Sequence, residues 1–165
     1  MARAKKHPQV GTSVFLFGEV EQKLCVLMSL KKIGNQKGYL ILPGGHLEFQ
    51  EDLDDCARRE VQEETGVDIW KNQIKLVAMC QDIHRSNENH YLNFFFTTIL
   101  NKKQIAQVSN PESHKHSDWE WIRCEDLMIA SKVKKLAPST REVIGNVEKY
   151  VVEEFSFYPL RKRNV

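Results

Sequence analysis

Several features of exported, membrane and nucleic-acid-binding proteins are missing from this sequence. It has no apolar run that approaches the length of a transmembrane helix, and its basic N-terminus lacks the apolar stretch of a secretory signal. A net charge of +2 is too small to indicate a nucleic-acid scaffold. The 4 cysteines are widely spaced, without a CxxC pair or a metal-finger pattern, and indicate buried thiols in a reduced compartment. We therefore expect a cytoplasmic protein with no membrane contact and no stable nucleic-acid partner.

Length and composition are those of one compact domain. The chain has 165 residues, of which 41% are hydrophobic and 28% charged, which are ordinary values for a globular protein. Basic residues concentrate at both ends. We expect a basic tail at 1–9, a single domain at 10–158 and a second basic tail at 159–165, with both tails solvated rather than bound to nucleic acid.

A predicted helix that ends in three glutamates is the most informative feature of the chain. Its expected start is Asp52, a good N-cap residue, and Gly66 is a natural residue to end it. Because each residue turns the helix by about 100°, one stripe carries both its apolar residues and the three glutamates. The stripe is formed by Leu53, Cys56, Ala57, Val61, Glu60, Glu63 and Glu64.

The glutamates of this stripe indicate a bound cation. Glu60, Glu63 and Glu64 are three and four residues apart, where like charges on a helix repel each other. A solvated acidic face would lie opposite the apolar stripe, but these residues continue it. Burying unpaired charge is costly, so such groups are usually paired or bound to metal. The pattern therefore favours a metal site over a solvated face.

The rest of the chain predicts a mixed sheet and a second long helix. Trp119 and Trp121 alternate along a short strand and are expected to pack in the core rather than to stack on a base. Strands are predicted at 10–17, 24–30, 39–42, 74–83, 90–100 and 119–122, a polar loop at 102–117 and a last helix at 139–155. Mixed strands with two main helices imply an α/β/α sandwich.

The residues around the first helix match every position of the Nudix box, GX5EX7REUXEEXGU. The fixed positions are Gly45, Glu51, Arg59, Glu60, Glu63, Glu64 and Gly66, with Val61 and Val67 at the apolar ones. The chain thus resembles the Nudix family, and ILPGGHLEF, HYLNFFFTTIL and SDWEWI are similar to its MutT-type nucleotide triphosphate diphosphatases. The resemblance covers most of the chain, and it implies an α/β protein, the Nudix α/β/α sandwich with a mixed β-sheet.

The resemblance implies a Mg²⁺-dependent enzyme in which Mn²⁺ substitutes, because both ions accept oxygen ligands. Glu60 and Glu64 are the expected direct ligands. Glu63 would bind another ion or act through water, and the resemblance adds the backbone carbonyl of Gly44 as a ligand. Such ions would neutralise diphosphate charge, lower the pKa of a water and align it for attack on phosphorus.

The resemblance also implies roles for residues beside the metal. Arg59 lies one turn before Glu63 and would orient it. The base that deprotonates the water stays open between Glu63 and Glu112, and Glu112 could equally be an ordinary loop acid. Glu51 is expected to support the start of the helix rather than the chemistry.

Substrate contacts are expected at Gly45, His46 and Lys31. His46 follows the Gly-Gly turn, where it would contact phosphate or base, or would be a simple turn histidine. Lys31 ends a strand and could meet the triphosphate, although exposed lysines are common.

The implied reaction is hydrolysis of a nucleoside triphosphate to a nucleoside monophosphate and pyrophosphate. A purine dNTP, unmodified, oxidised or otherwise modified, is the expected substrate and the expected partner, and a homodimer is left open. The alternatives are a Nudix pyrophosphatase acting on ADP-ribose, a dinucleotide or capped RNA, and a non-catalytic Nudix-like binding module. A binding module would lose box carboxylates, all of which this chain retains.

Overall fold

Seven strands and four helices make up most of the residues that the computed structural model describes, which are 7–34, 36–84, 89–130 and 135–154. The strands are β1 (Gln9–Val20), β2 (Lys23–Leu30), β3 (Leu40–Ile41), β4 (Gly44–His46), β5 (Lys75–His84), β6 (Asn89–Ile99) and β7 (Glu120–Arg123). The helices are α1 (Leu53–Thr65), α2 (Lys102–Gln107), α3 (Cys124–Ala130) and α4 (Pro138–Glu154).

Strand β1 organises the sheet, because both of its edges are paired. It runs parallel to β6, from Gln9 opposite Tyr91 to Phe17 opposite Ile99. Its other edge is shared by two antiparallel strands, β4 and β2. β5 extends the sheet antiparallel to β6, and β3 and β7 each pair antiparallel with β2. The predicted mixed sheet is confirmed.

Helices cover both faces of the sheet, and β1 is therefore buried on both sides. Phe15 and Phe17 belong to a buried cluster that includes residues of α3 and α4. Val14 and Leu16 belong to a second cluster that includes residues of α1. Adjacent strand residues point to opposite faces, which explains the continuous apolar run of β1. The predicted α/β/α sandwich is confirmed.

Helix α1 begins and ends where the sequence predicts. Gly66 ends it with φ at 73°, a left-handed conformation that glycine adopts without steric cost. Asp52 occupies the N-cap position, but its side chain makes no capping hydrogen bond. Thr65, the last residue of α1, is fully buried, and its hydroxyl is satisfied by donating to the Val61 carbonyl at 2.7 Å.

Two elements differ from the sequence prediction. The Gly-Gly turn at 44–45 is part of strand β4, because 44–46 pair with β1. The predicted polar loop at 102–117 contains α2, because Asn101 caps a helix there. The Asn101 side chain accepts from the backbone N–H groups of Lys103 and Gln104, and the Gln104 side chain accepts from the Asn101 N–H.

The predicted boundaries between the domain and its two tails remain predictions. β1 begins at Gln9, one residue before the expected domain start. Residues 1–6 of the predicted N-terminal tail, and 155–165 with the whole predicted C-terminal tail, lie outside the described residues. Within the described ranges, no helix is both long enough and apolar enough to span a membrane.

Candidate functional site

A cavity of about 670 Å³ is bounded by β1, β4, the C-terminal half of α1 and the first turn of α4. Six predicted site residues line it, namely Lys31, Gly44, Gly45, His46, Glu60 and Glu64. Arg59, Glu63 and Glu112 are not among its lining residues. The predicted metal and substrate residues are thus brought together, except for Glu63.

Strand β4 lies directly against the carboxylate of Glu60. A Cβ atom at Gly45 would overlap that carboxylate, so any other residue there would force the Glu60 side chain to move. The Glu60 side chain is 14% exposed. Burial raises the pKa of Glu60, and the nearby Arg59 guanidinium partly offsets this effect. Glu60 therefore presents a partly desolvated carboxylate beside the Gly-Gly segment.

Glu64 is the most buried carboxylate of the site, with 3% of the residue exposed. Its Oε2 accepts a hydrogen bond of 3.0 Å from the Gly44 N–H. Burial raises the pKa of Glu64 to about 7, while the Gly44 N–H and Lys31 lower it and Glu60 and Glu112 raise it. No ion pair to Glu64 is present in the part of the chain that the structure describes. A bound cation would supply the missing positive charge.

The raised pKa of Glu64 predicts how the stability of the metal-free protein depends on pH. The folded carboxyl keeps its proton above its ordinary pKa of 4.5, so the folded state binds more protons than the unfolded state from about pH 4.5 to 7. Unfolding free energy should therefore fall with rising pH in this window, relative to Glu64→Gln, by on the order of 3 kcal/mol. Urea unfolding of both proteins in EDTA at pH 4, 6 and 8 measures the difference. A pH-independent difference would contradict the buried, unpaired state of Glu64.

Arg59 connects the helix to the segment before it. Its Nε and Nη2 donate to the two carboxylate oxygens of Glu51 at 2.7 and 3.0 Å, and Nη2 also donates to the His46 carbonyl at 3.1 Å. Its Nη1 donates to Glu60 at 2.7 Å and to Glu63 at 3.3 Å. The Arg59 hydrogen bonds lower the pKa of Glu51 to about 2. Glu51 thus holds the segment before α1 against Arg59 of the helix.

The predicted pairing of Arg59 with Glu63 is present but is the longest of its carboxylate contacts. Glu63 is half-exposed, with 50% of its side chain accessible. Glu60 and Glu64 lie on the cavity side of the same helix. Arg59 therefore positions Glu60 more directly than it positions Glu63.

The loop that follows α2 is attached to the end of α1. The last carbonyls of a helix have no partner within it. Here the Thr65 carbonyl accepts from the Ser109 N–H at 2.9 Å, and the Glu64 carbonyl accepts from the indole N–H of Trp119 at 2.8 Å. These bonds bring the loop residues between Ser109 and Trp119 to the C-terminal turn of α1.

The attachment of this loop to α1 brings three potential metal ligands together. Glu64, Glu112 and His116 each offer one ligand atom, and these atoms lie within 4.8 Å of one another. Glu112 also accepts a hydrogen bond of 2.6 Å from Lys115. Glu112 was a sequence candidate, whereas His116 was not, because its position depends on how the loop packs on α1. The only sequence signal was a histidine shortly before the Trp-Glu-Trp segment.

The remaining candidates lie at the cavity wall. His46 is exposed, and its ring centroid is 5.9 Å from that of Tyr91. Lys31 is half-buried and forms an isolated β-bridge with His116. Trp119 and Trp121 pack against the buried cluster on the α1 side, as predicted.

Comparisons with known proteins agree with this architecture. The NUDIX domain profile matches residues 7–146. The chain is 30% identical over 137 residues to the human protein nucleoside diphosphate-linked moiety X motif 6, which covers 82% of this chain and 40% of that protein. The chain thus spans less than half the length of this relative.

Two crystal structures share the fold. The MutT NUDIX hydrolase from Burkholderia pseudomallei superposes with a TM-score of 0.71 at 21% identity, over 86% of this chain and 99% of that one. The NUDIX domain of Shewanella oneidensis NrtR, in complex with ADP ribose, gives 0.67 at 21% identity, over 92% and 93%. Because the family profile spans most of the sequence, including the whole of α1, the chain belongs to the NUDIX family.

Proposed function

We propose that the protein is a divalent-metal-dependent hydrolase that cleaves a nucleoside triphosphate, a purine dNTP first, to a nucleoside monophosphate and pyrophosphate. The observation that carries this proposal is Glu64. It is a buried carboxylate at the wall of a cavity of about 670 Å³, a volume within the range of small-molecule sites, and it has no ion pair among the described residues. A site of this kind suits a cation that binds phosphate oxygens at the same time.

The residues at the cavity fit Mg²⁺. Glu60 and Glu64 would hold it through carboxylate oxygens, with the Gly44 carbonyl as a further ligand, and Mn²⁺ should substitute because it also accepts oxygen donors. When bound, the ion supplies neutralisation of the diphosphate charge and acidifies the attacking water. The chain's own contribution is orientation: Arg59 holds Glu60, and the Gly44 N–H holds Glu64.

For the base that accepts the proton of the water, the geometry favours Glu112 over Glu63. A carboxylate oxygen of Glu112 lies within 4.8 Å of one of Glu64. Glu63 is half-exposed and is held by Arg59 on the outer side of the helix. We propose that Glu112 takes this proton and that the Lys115 ammonium stabilises its ionised form.

Hydrolysis of ADP-ribose is the second candidate. The NrtR NUDIX domain that shares this fold was crystallised with ADP ribose, which supports a nucleoside diphosphate sugar as a substrate. Dinucleotides and capped RNA fall in the same class of pyrophosphate substrates. A non-catalytic binding module is less consistent with Glu60 and Glu64 at one cavity. The homodimer, the cytoplasmic location and the absence of a nucleic-acid partner stay predictions.

A substrate panel tests the choice between these classes. Purine dNTPs should exceed ADP-ribose and dinucleotides in kcat/KM by at least roughly tenfold, or about 1.4 kcal/mol in transition-state binding. His46→Ala should weaken this preference more than it weakens Mg²⁺ binding, because His46 lines the cavity but lies outside the carboxylates. Higher kcat/KM for ADP-ribose would move the protein to the second class.

A further inference from the structure

His116 is a fully buried histidine with one unused nitrogen. It is 0% exposed, and its ring centroid is 4.8 Å from that of Trp119. Its Nδ1 lies 3.2 Å from the Ser117 carbonyl oxygen and 3.5 Å from the Ser29 hydroxyl. Its Nε2 has no hydrogen-bond partner in the described portion of the chain. A buried polar atom without a partner is costly, so this nitrogen requires an explanation.

The surroundings of Nδ1 decide where the ring proton lies. The Ser117 carbonyl oxygen only accepts hydrogen bonds, so it favours the tautomer with the proton on Nδ1. That tautomer leaves a lone pair on Nε2. A neutral imidazole whose N–H donates to a backbone carbonyl has the arrangement that orients metal-binding histidines.

Two carboxylates face this histidine from different elements. Glu64 comes from α1 and Glu112 from the loop, and a ring nitrogen of His116 lies within 4.8 Å of an oxygen of each. Lys115 is the cation now nearest to Glu112, at 2.6 Å. It is half-exposed and can turn to solvent, whereas Glu64 and His116 are held inside the fold.

We propose that Glu64, Glu112 and His116 form a cation position with one nitrogen ligand, separate from an all-oxygen position at Glu60 and Glu64. A nitrogen ligand favours first-row transition metals such as Mn²⁺, Co²⁺ or Zn²⁺ over Mg²⁺, which prefers oxygen. Because a carboxylate has two oxygens, ligation through one leaves the other oxygen of Glu112 to accept a proton. The use of this cation in hydrolysis rests on the proposed function, but its binding does not.

Nitrogen coordination to Mn²⁺ can be measured without any turnover. Metal-free protein without a polyhistidine tag is titrated with Mn²⁺ alone, and pulsed electron paramagnetic resonance detects ¹⁴N coupling to the bound ion. Wild type should show this coupling, and so should His114→Gln, an exposed histidine of the same loop, and His46→Gln at the cavity wall. His116→Gln should lose it and should bind Mn²⁺ at least about tenfold more weakly, with a much smaller change for Mg²⁺.

Circular dichroism shows whether His116→Gln keeps its fold. If this variant does not fold, the ¹⁴N coupling of wild type, compared with that of His114→Gln and His46→Gln, decides the proposal. The proposal is overturned if wild type binds no Mn²⁺, if bound Mn²⁺ shows no ¹⁴N coupling, or if the coupling survives in folded His116→Gln. Coupling without triphosphate hydrolysis would keep this site and defeat the proposed function. Triphosphate hydrolysis without ¹⁴N coupling would keep the proposed function and defeat this site.

Discussion

Replacing Glu60 or Glu64 with glutamine should lower kcat by on the order of 10³-fold or more, while both variants keep the native fold. Both residues line the cavity, and glutamine preserves their shape but removes the charge that a divalent cation requires. Glu64→Gln still offers the Gly44 N–H an acceptor, so the local hydrogen bond survives. Steady-state kinetics at saturating Mg²⁺ with a purine dNTP measure the effect.

Two further glutamates serve as controls for this result. Glu120→Gln, at an exposed position on β7, should leave kcat unchanged. Glu63→Gln should lose less activity than either cavity variant, because Glu63 is half-exposed and does not line the cavity. Activity near that of wild type in both Glu60→Gln and Glu64→Gln would refute the metal assignment.

Arg59→Gln should reduce both stability and turnover. Arg59 is partly buried and binds Glu51 through two hydrogen bonds and Glu60 through one, so its loss leaves two largely buried carboxylates without their cation. Breaking such a network costs about 3 kcal/mol in the free energy of unfolding, and loss of the group that orients Glu60 should lower kcat by about 10- to 100-fold. Urea unfolding and steady-state kinetics measure the two effects.

A double-mutant cycle separates the ion pair from general damage to the helix. Glu51→Gln combined with Arg59→Gln should cost clearly less than the sum of the two single changes, because each single change strands the other partner. Arg58→Gln on the same helix should cost less, about 1 to 2 kcal/mol, since it loses a more exposed pair with Asp55 and one hydrogen bond to the Ile69 carbonyl. Additive costs at Arg59 and Glu51 would contradict the central role of this pair.

The parts of the fold that depend on neighbouring residues could be predicted from the sequence. Helix α1 is set by its apolar period and by the glycine that follows it, and both are local. Strand β4 was missed because it has only three residues, two of them glycine, and forms only through its pairing with β1. The helix α2 was missed although its signal was local, an asparagine followed three residues later by a glutamine.

In the candidate site too, residues placed by a local pattern could be predicted, whereas a residue placed by long-range contacts could not. Glu60 and Glu64 could be identified from the helical stripe, and they do line the cavity. The predicted stripe also includes Glu63, but Glu63 is turned by about 100° from Glu64 around the helix and lies on its accessible side. His116 could not be identified, because it reaches Glu64 only through a loop that hydrogen-bonds to the end of α1.

The products of a purine dNTP test the central claim most directly. Wild-type protein is incubated with dGTP and Mg²⁺, and nucleoside monophosphate, pyrophosphate and orthophosphate are quantified with and without EDTA. We expect equal amounts of dGMP and pyrophosphate, complete arrest by EDTA and an unchanged circular-dichroism spectrum, because the described buried cluster under α1 consists of apolar residues and does not need the ion. Release of orthophosphate, or cleavage that continues in EDTA, would contradict the proposed metal-dependent hydrolysis to a monophosphate and pyrophosphate.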